Sequence, residues 1–274
     1  VFKQPLKETS RRLAHLEDPD RMAVGGPPAK VQGLGTGEKG ALANRIARVA
    51  WPEVGSGLWS QGYARIGNLL TREECEALRA RYGEPELFRS RIEMARFQFG
   101  RGEYQYFAYP LPCIVEELRE ALYPRLAEIA NPWMQALALD AGFPADLASF
   151  LERCHAQGQT RPTPLLLRYR TGDYNCLHQD LYGDAVFPFQ VIVGLSRPGE
   201  DFTGGELLLT EQRPRAQSIG HAVRLEQGEA VAITTRYRPV PGARGYHRTT
   251  MRHGVSPILS GERYTLGLIF HDAA

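Results

Sequence analysis

After Arg161 the spacing of apolar residues changes from a repeat near 3.6 to a repeat of 2, and this switch constrains the fold more than any other feature of the chain. Alternating stretches recur at Pro164–Arg170, Asn175–Asp180, Pro188–Ser196, Gly205–Thr210, Ala222–Leu225, Glu229–Thr235, Gly254–Pro257 and Arg263–Phe270. Turn-forming runs separate them, among them Thr171-Gly172-Asp173, Pro198-Gly199-Glu200, Pro241-Gly242 and Ser260-Gly261. Strands this short and this numerous close most readily into a barrel-like double sheet, a jelly roll.

The residues before Arg161 read differently. Ala41–Ala50 repeats at helical spacing and is expected to stop at Trp51-Pro52. Gly62–Ile66 reads as a short strand, and Thr71-Arg72-Glu73-Glu74 as a capping-box start of a helix reaching Tyr82. A long amphipathic helix is expected from Pro112 to Ala130, ended by Asn131-Pro132, and another from Ala145 to Ala156. Gly- and Pro-rich runs between Ala23 and Gly40 cannot sustain a helix or a central strand, so residues 1–40 read as a leader or linker. Residues 41–274 then form one α+β domain, with helical support over 41–160 and the jelly-roll core over 161–274. A chain of 274 residues can bury one such core.

The net charge of +2 argues against a protein that coats nucleic acid along its whole surface. No apolar run approaches the roughly 20 residues of a membrane helix, and Val1–Pro5 lacks the apolar stretch of a secretory signal. Cys75, Cys113, Cys154 and Cys176 form no C-x-x-C pair and are expected to be buried apolar thiols. A reducing cytoplasm is the expected location.

His178-Gln179-Asp180 ends an alternating segment. Residues i and i+2 of a strand share a face, which would bring an imidazole and a carboxylate to one point. His253, 73 residues beyond Asp180, opens another strand-like stretch and offers a third ligand. Two histidines and a carboxylate make a facial triad that leaves three positions on a ferrous ion for a chelating cosubstrate and dioxygen.

Arg263 follows His253 by ten residues. On the last strand Tyr264, Leu266, Leu268 and Phe270 form an apolar face, while Arg263, Thr265, Gly267 and Ile269 form the other. A guanidinium inside a barrel is costly unless a carboxylate meets it, ideally in a two-pronged contact. No acidic side chain shares that face. An external dicarboxylate is the natural partner, with Thr265 adding a hydroxyl and Gly267 leaving room.

H-x-D, a distant His and R-x-[ST] ten residues later together resemble the 2-oxoglutarate/iron(II)-dependent oxygenase superfamily. Thr203-Gly204-Gly205-Glu206-Leu207 and Gly228-Glu229-Ala230-Val231 are similar to its prolyl-hydroxylase-like branch. Arg168-Tyr169-Arg170-Thr171-Gly172, Leu177-His178-Gln179-Asp180 and Arg263-Tyr264-Thr265-Leu266 resemble AlkB-type DNA dealkylases. From residue 41 the chain looks like a bacterial family assigned to oxidative demethylation of damaged DNA. The resemblance implies a double-stranded β-helix (jelly-roll, cupin-like) core buttressed by N-terminal helices. It implies Fe(II) on His178, Asp180 and His253, with 2-oxoglutarate and O2 as cosubstrates and ascorbate as an accessory reductant. Where AlkB-type enzymes carry an asparagine before R-Y this chain has Leu167, and their second arginine falls on Ile269. Cosubstrate binding must therefore lean on Arg263, Thr265 and Tyr169.

The activity so implied is dioxygenation that removes alkyl groups from damaged DNA or RNA, releasing succinate, CO2 and formaldehyde. No membrane and no obligate protein partner is expected. A peptide side-chain hydroxylase of prolyl-hydroxylase type, a small-molecule hydroxylase and a jelly-roll binding module without turnover remain open beside it. Two features bear on the choice. Arg236, Arg238, Arg244, Arg248 and Arg252, with no acid between Glu229 and Glu262, read as a basic loop; Arg244, Arg248 and Arg252 are candidates to hold phosphates beside the iron. A solvated arginine-rich loop explains the same run. Arg96–Phe107 interleaves aromatics and arginines: it reads first as a half-buried strand over the barrel, with Tyr104 and Tyr106 also candidates to stack an extruded base. His155, His221 and His271 are expected to be structural.

Overall fold

The structure of the protein, a computed structural model, describes residues 40–140, 142–213, 215–243 and 245–274. The expected leader lies outside them except for Gly40, and so does Arg244. Among the described residues, fourteen strands are arranged as two antiparallel sheets. They are β1 Tyr63–Asn68, β2 Phe88–Glu93, β3 Gly100–Arg101, β4 Glu103–Phe107, β5 Leu165–Arg170, β6 Tyr174–His178, β7 Phe189–Gly194 and β8 Phe202–Gly204. Then come β9 Leu207–Gln212, β10 Ile219–Val223, β11 Glu229–Thr234, β12 Tyr237–Gly242, β13 Gly245–Val255 and β14 Ile258–Ile269. The larger sheet runs β1-β11-β7-β14-β5-β4-β2, with β8 also on β14; the smaller runs β10-β9-β13-β6-β3, with β12 also on β13. The helices are α1 Ala41–Ala47, α2 Trp51–Gln61, α3 Arg72–Ala80, α4 Cys113–Ala136 and α5 Leu147–Ala156.

Strand alternation separates two interiors. Phe189, Val191 and Val193 of β7 and Leu266 and Leu268 of β14, with Phe270 just beyond it, pack with Leu118, Leu122 and Leu126 of α4 in one large core. The opposite faces of these strands look between the sheets, where Tyr169, Phe202, Val255 and Ile258 form a smaller cluster. Phe187, fully buried among Tyr123, Phe143, Phe150 and Phe270, ties α4 and α5 to the larger sheet. Replacing such a ring by alanine costs about 3–5 kcal/mol.

Several local expectations are corrected. Trp51-Pro52 does not only end a helix; it starts α2, where proline in the first turn sacrifices no intrahelical bond. Helix α4 runs through Pro132 to Ala136. Its last turn is held by tertiary contacts: the Asn131 amide brackets Phe143 (Nδ2 to O 3.1 Å, N to Oδ1 2.7 Å), and buried Trp133 donates to the Tyr237 carbonyl at 3.1 Å. The arginine-rich run is not a loop but the β12–β13 hairpin. Strand β2 was not anticipated, because Arg89 and Arg91 break its apolar pattern; β2 forms an edge on which Arg91 pairs with Glu103. Cys75 and Cys154 are buried thiols, whereas Cys113, at the start of α4, and Cys176, on β6, are exposed. No helix among the described residues is long and apolar enough to cross a membrane.

Candidate metal centre

Strands β6 and β13 are antiparallel neighbours, and their register sets His178 directly opposite His253, with ring centroids 4.3 Å apart. A bulge follows, so that the next pair is Val255 with Asn175. This shift lets both His178 and Asn175 turn inward, where the Asn175 amide donates to the Tyr169 hydroxyl at 3.3 Å. Asp180 corrects the simple alternation argument, since β6 ends at His178 and the carboxylate sits in the loop beyond it. Two side chains hold it there. Gln179 donates to the Met251 carbonyl at 2.9 Å and the Arg236 carbonyl at 3.3 Å, fastening the loop to β13. The Tyr182 hydroxyl donates to Asp180 Oδ1 at 3.0 Å and accepts from Tyr106 at 3.0 Å.

The result is one cluster. A ligand atom from each of His178, Asp180 and His253 lies within 4.8 Å of the other two. Asp180 Oδ1 is 3.4 Å from His178 Nε2, and Oδ2 is 3.1 Å from His253 Nε2. His178 Nδ1 lies 2.8 Å from the Cys176 carbonyl, which fixes the proton on Nδ1 and leaves the Nε2 lone pair free for a metal. Burial opposes ionisation of Asp180, but the two imidazoles prevail and hold its carboxyl well below the usual range. Burial likewise opposes protonation of His178, and Asp180 overcomes it, so its pKa rises. His253, more deeply buried and facing His178, is pushed down. A divalent cation would relieve the crowding of these groups and suits their nitrogen and oxygen donors.

Deeper between the sheets lies Arg263, 3% exposed, on β14 opposite Tyr169 of β5. Its guanidinium carbon sits 5.7 Å from the Tyr169 ring centre and 5.9 Å from that of Phe202. Nη1 has no hydrogen-bond partner. Burial lowers its pKa, with Tyr169 and Glu206 opposing. Thr265 is buried on the same strand face. Burial raises the Tyr169 pKa, with the Arg263 charge opposing and the Asp180 charge adding to the rise, and the Asn175 amide on β6 donates to its hydroxyl. Gly205 has φ +67°, and a Cβ there would come within 2.9 Å of Arg263 Cδ and 2.3 Å of Ile258 Cδ1. The Gly204-Gly205 step thus makes room for the arginine. A buried guanidinium whose Nη1 lacks an acceptor suits an anionic ligand such as a carboxylate.

Three tyrosines wall the ligand side. The Tyr104 and Tyr106 rings meet edge to face at 5.4 Å, and Tyr106 meets Tyr182 likewise at 6.2 Å. Of the arginine candidates Arg244 lies outside the described residues, and Arg248 and Arg252 are turned elsewhere than to the cluster. Arg248 donates from Nε and Nη2 to the Leu137 carbonyl at the end of α4 (3.1 and 2.9 Å). Arg252 is exposed and, one residue before buried His253, falls on the opposite strand face. Arg238 is buried in a pair with Glu211 at 2.6 Å, and Arg236 lies over the Tyr237 ring at 4.5 Å. The three histidines expected to be structural have such places: His155 on Asp272, His221 against Tyr63, and His271 accepting from the Phe187 amide. Sequence reasoning missed Gln179, Tyr182 and Gln190. Their only local signal was position, inside H-x-D, two residues past it, and as a polar interruption of an apolar strand.

A family model described as "Oxygenase, catalysing oxidative methylation of damaged DNA" matches residues 102–273. Two uncharacterized proteins of Mycobacterium tuberculosis, from strains CDC 1551 / Oshkosh and ATCC 25618 / H37Rv, are each 55% identical over 168 residues, which is 61% of this chain and 72% of theirs. A prolyl-4-hydroxylase of Pseudomonas putida superposes with a TM-score of 0.50 at 16% identity, over 82% of this chain and 99% of its own. An oxidoreductase of the 2OG-Fe(II) oxygenase family from Burkholderia pseudomallei gives 0.49 at 13% identity, over 83% and 94%. The Pseudomonas likeness is one of fold, the double-stranded β-helix.

Proposed function

Because the chain belongs to the oxygenase family described by that model, we propose that it is an iron(II)- and 2-oxoglutarate-dependent dioxygenase acting on alkylated nucleic acid. The observation that carries this reading is the pairing, within one interior, of the His178–Asp180–His253 cluster with an arginine whose Nη1 finds no protein acceptor. Iron, 2-oxoglutarate and dioxygen together supply a two-electron oxidation of a substrate C–H bond, with succinate and CO2 as the products of the cosubstrate.

The chain's own residues prepare that reaction. His178, Asp180 and His253 hold the metal, and Gln179 and Tyr182 keep the carboxylate aimed. Arg263 takes the far carboxylate of the cosubstrate, with the Thr265 hydroxyl and the Tyr169 phenol beside it. An oxygenase acts on C–H bonds, so on an N-methylated base the expected outcome is removal of the methyl group: oxidation at the methyl carbon, then loss of formaldehyde to leave N–H. The family description supports nucleic acid, and the part-exposed rings of Tyr104 and Tyr182, the latter bonded to Asp180, offer aromatic surface to a planar base, whereas Tyr106 is buried with Arg89 over its ring. The G-G-E-L element, the sequence feature that pointed towards peptides, is occupied in seating Arg263.

The test is formaldehyde and succinate formation with methylated DNA and RNA oligonucleotides, beside a proline-containing peptide. The wild type should release both products from an oligonucleotide, and His178→Ala should release neither. Succinate stimulated by the peptide and by no nucleic acid would overturn the substrate assignment.

A further inference from the structure

Gln190 is a polar residue in an apolar strand. Its neighbours on β7, Phe189 and Val191, are fully buried in the helix-side core, so alternation turns Gln190 between the sheets, where it is 4% exposed. On its own face stand Ile192 and, across the ladder on β14, Ile269. Neither offers a polar group. The side chain instead reaches His253, with Nε2 of the amide 3.0 Å from Nε2 of the imidazole.

That imidazole nitrogen is the one that lies 3.1 Å from Asp180 Oδ2, inside the ligand cluster. A single nitrogen cannot hold a metal and share the Gln190 hydrogen bond at once. When it ligates, that hydrogen bond is lost, and the amide, whose ladder neighbours Ile233 and Ile269 are apolar, is left to donate to what fills the remaining positions around the metal. A buried amide is stabilised there only by an occupant that accepts its hydrogen bond. Arg263 is the cationic anchor of the same interior, on β14, the immediate neighbour of β7. A neutral donor near the metal and a cation farther along match a molecule with an oxygen-rich chelating end and a carboxylate at the other.

Resting on the oxygenase reading above, we propose that Gln190 binds the keto-acid end of 2-oxoglutarate, its amide N–H donating to a cosubstrate oxygen while Arg263 holds the opposite carboxylate.

The experiment uses the full chain under anaerobic conditions, with Gln190→Leu, Gln190→Glu and the near-isosteric Gln190→Met as variants. Mn(II) binding is measured by calorimetry. The ferrous protein is then titrated with 2-oxoglutarate, following the visible charge-transfer absorption, and KM and kcat for succinate formation are separated. Gln190→Leu and Gln190→Met should bind Mn(II) within about threefold of wild type, because their side chains no longer compete for His253. Their 2-oxoglutarate affinity should fall about tenfold, with a shifted band, and the carboxylate of Gln190→Glu should weaken it further. Wild-type 2-oxoglutarate affinity and an unshifted band in Gln190→Met would overturn the proposal. If the wild type itself gives no 2-oxoglutarate-dependent band, the reading of the whole centre fails instead.

Discussion

Replacing Arg263 by methionine should have opposite effects on the ligand-free protein and on cosubstrate binding. The guanidinium is 3% exposed, and its Nη1 has no acceptor. Leaving a buried polar group unsatisfied costs about 1–3 kcal/mol, more when it is charged. Methionine is similar in length and carries no such group. Arg263→Met should therefore unfold no earlier than wild type without ligand, and up to about 3 kcal/mol later, with each kcal/mol moving Tm by about 2–4 °C in a domain of this size. The same change removes a charge-assisted contact to the diacid. A loss of about 3 kcal/mol corresponds to roughly 150-fold weaker binding. Thermal unfolding of the apoprotein in chelator, beside anaerobic titration of the ferrous protein with 2-oxoglutarate, reads both effects. Clear destabilisation of the apoprotein would show that Arg263 serves a protein partner. Unchanged cosubstrate affinity would show that it does not face the ligand. Either result would refute the reasoning.

Three further outcomes are expected. Gly205→Ala places a methyl at φ +67° against Ile258 and Arg263; it should cost about 2 kcal/mol in unfolding and also weaken 2-oxoglutarate binding, whereas a purely local effect would leave binding intact. Glu211→Gln would strand the buried charge of Arg238 and should destabilise the protein by about 3–5 kcal/mol in denaturant titration, with a change under 1 kcal/mol arguing that the pair is dispensable. Burial, with a smaller push from Arg119, lowers the His271 pKa from 6.5 to about 4. The unfolded chain binds this proton more readily, so stability is full above about pH 6.5 and falls as pH drops towards 4, by about 2 kcal/mol at pH 5. His271→Asn, which keeps an acceptor for the Phe187 amide, should flatten that limb of the stability–pH curve; an unaltered slope would assign it to other groups.

Much of the centre was legible before any fold was known. Residue type and spacing singled out His178, Asp180 and His253, which the fold does bring together, and alternation in β14 correctly separated Leu266, Leu268 and Phe270 from Arg263 and Thr265. The basic run from Arg236 to Arg252 was not legible as a hairpin, for a physical reason. Charge in a sequence has no address until its partners are placed, and Arg238 and Arg248 use theirs on Glu211 and on the Leu137 carbonyl, 27 and 111 residues away.

Periodicity and side-chain chemistry act over a few residues, so the sequence alone determined the strand-rich core and which residue types could form a cluster. Position across the sheets depends on register and on contacts between distant segments, and only the tertiary structure decided it. It put His178 opposite His253 and carried Asp180 beyond its strand, held by Gln179 and Tyr182. It extended α4 through Pro132, where packing of Trp133 and the Asn131 bonds to Phe143 outweigh the loss of one helix hydrogen bond. It also turned Gln190 towards the ligand cluster, a placement that follows from the pairing of whole strands.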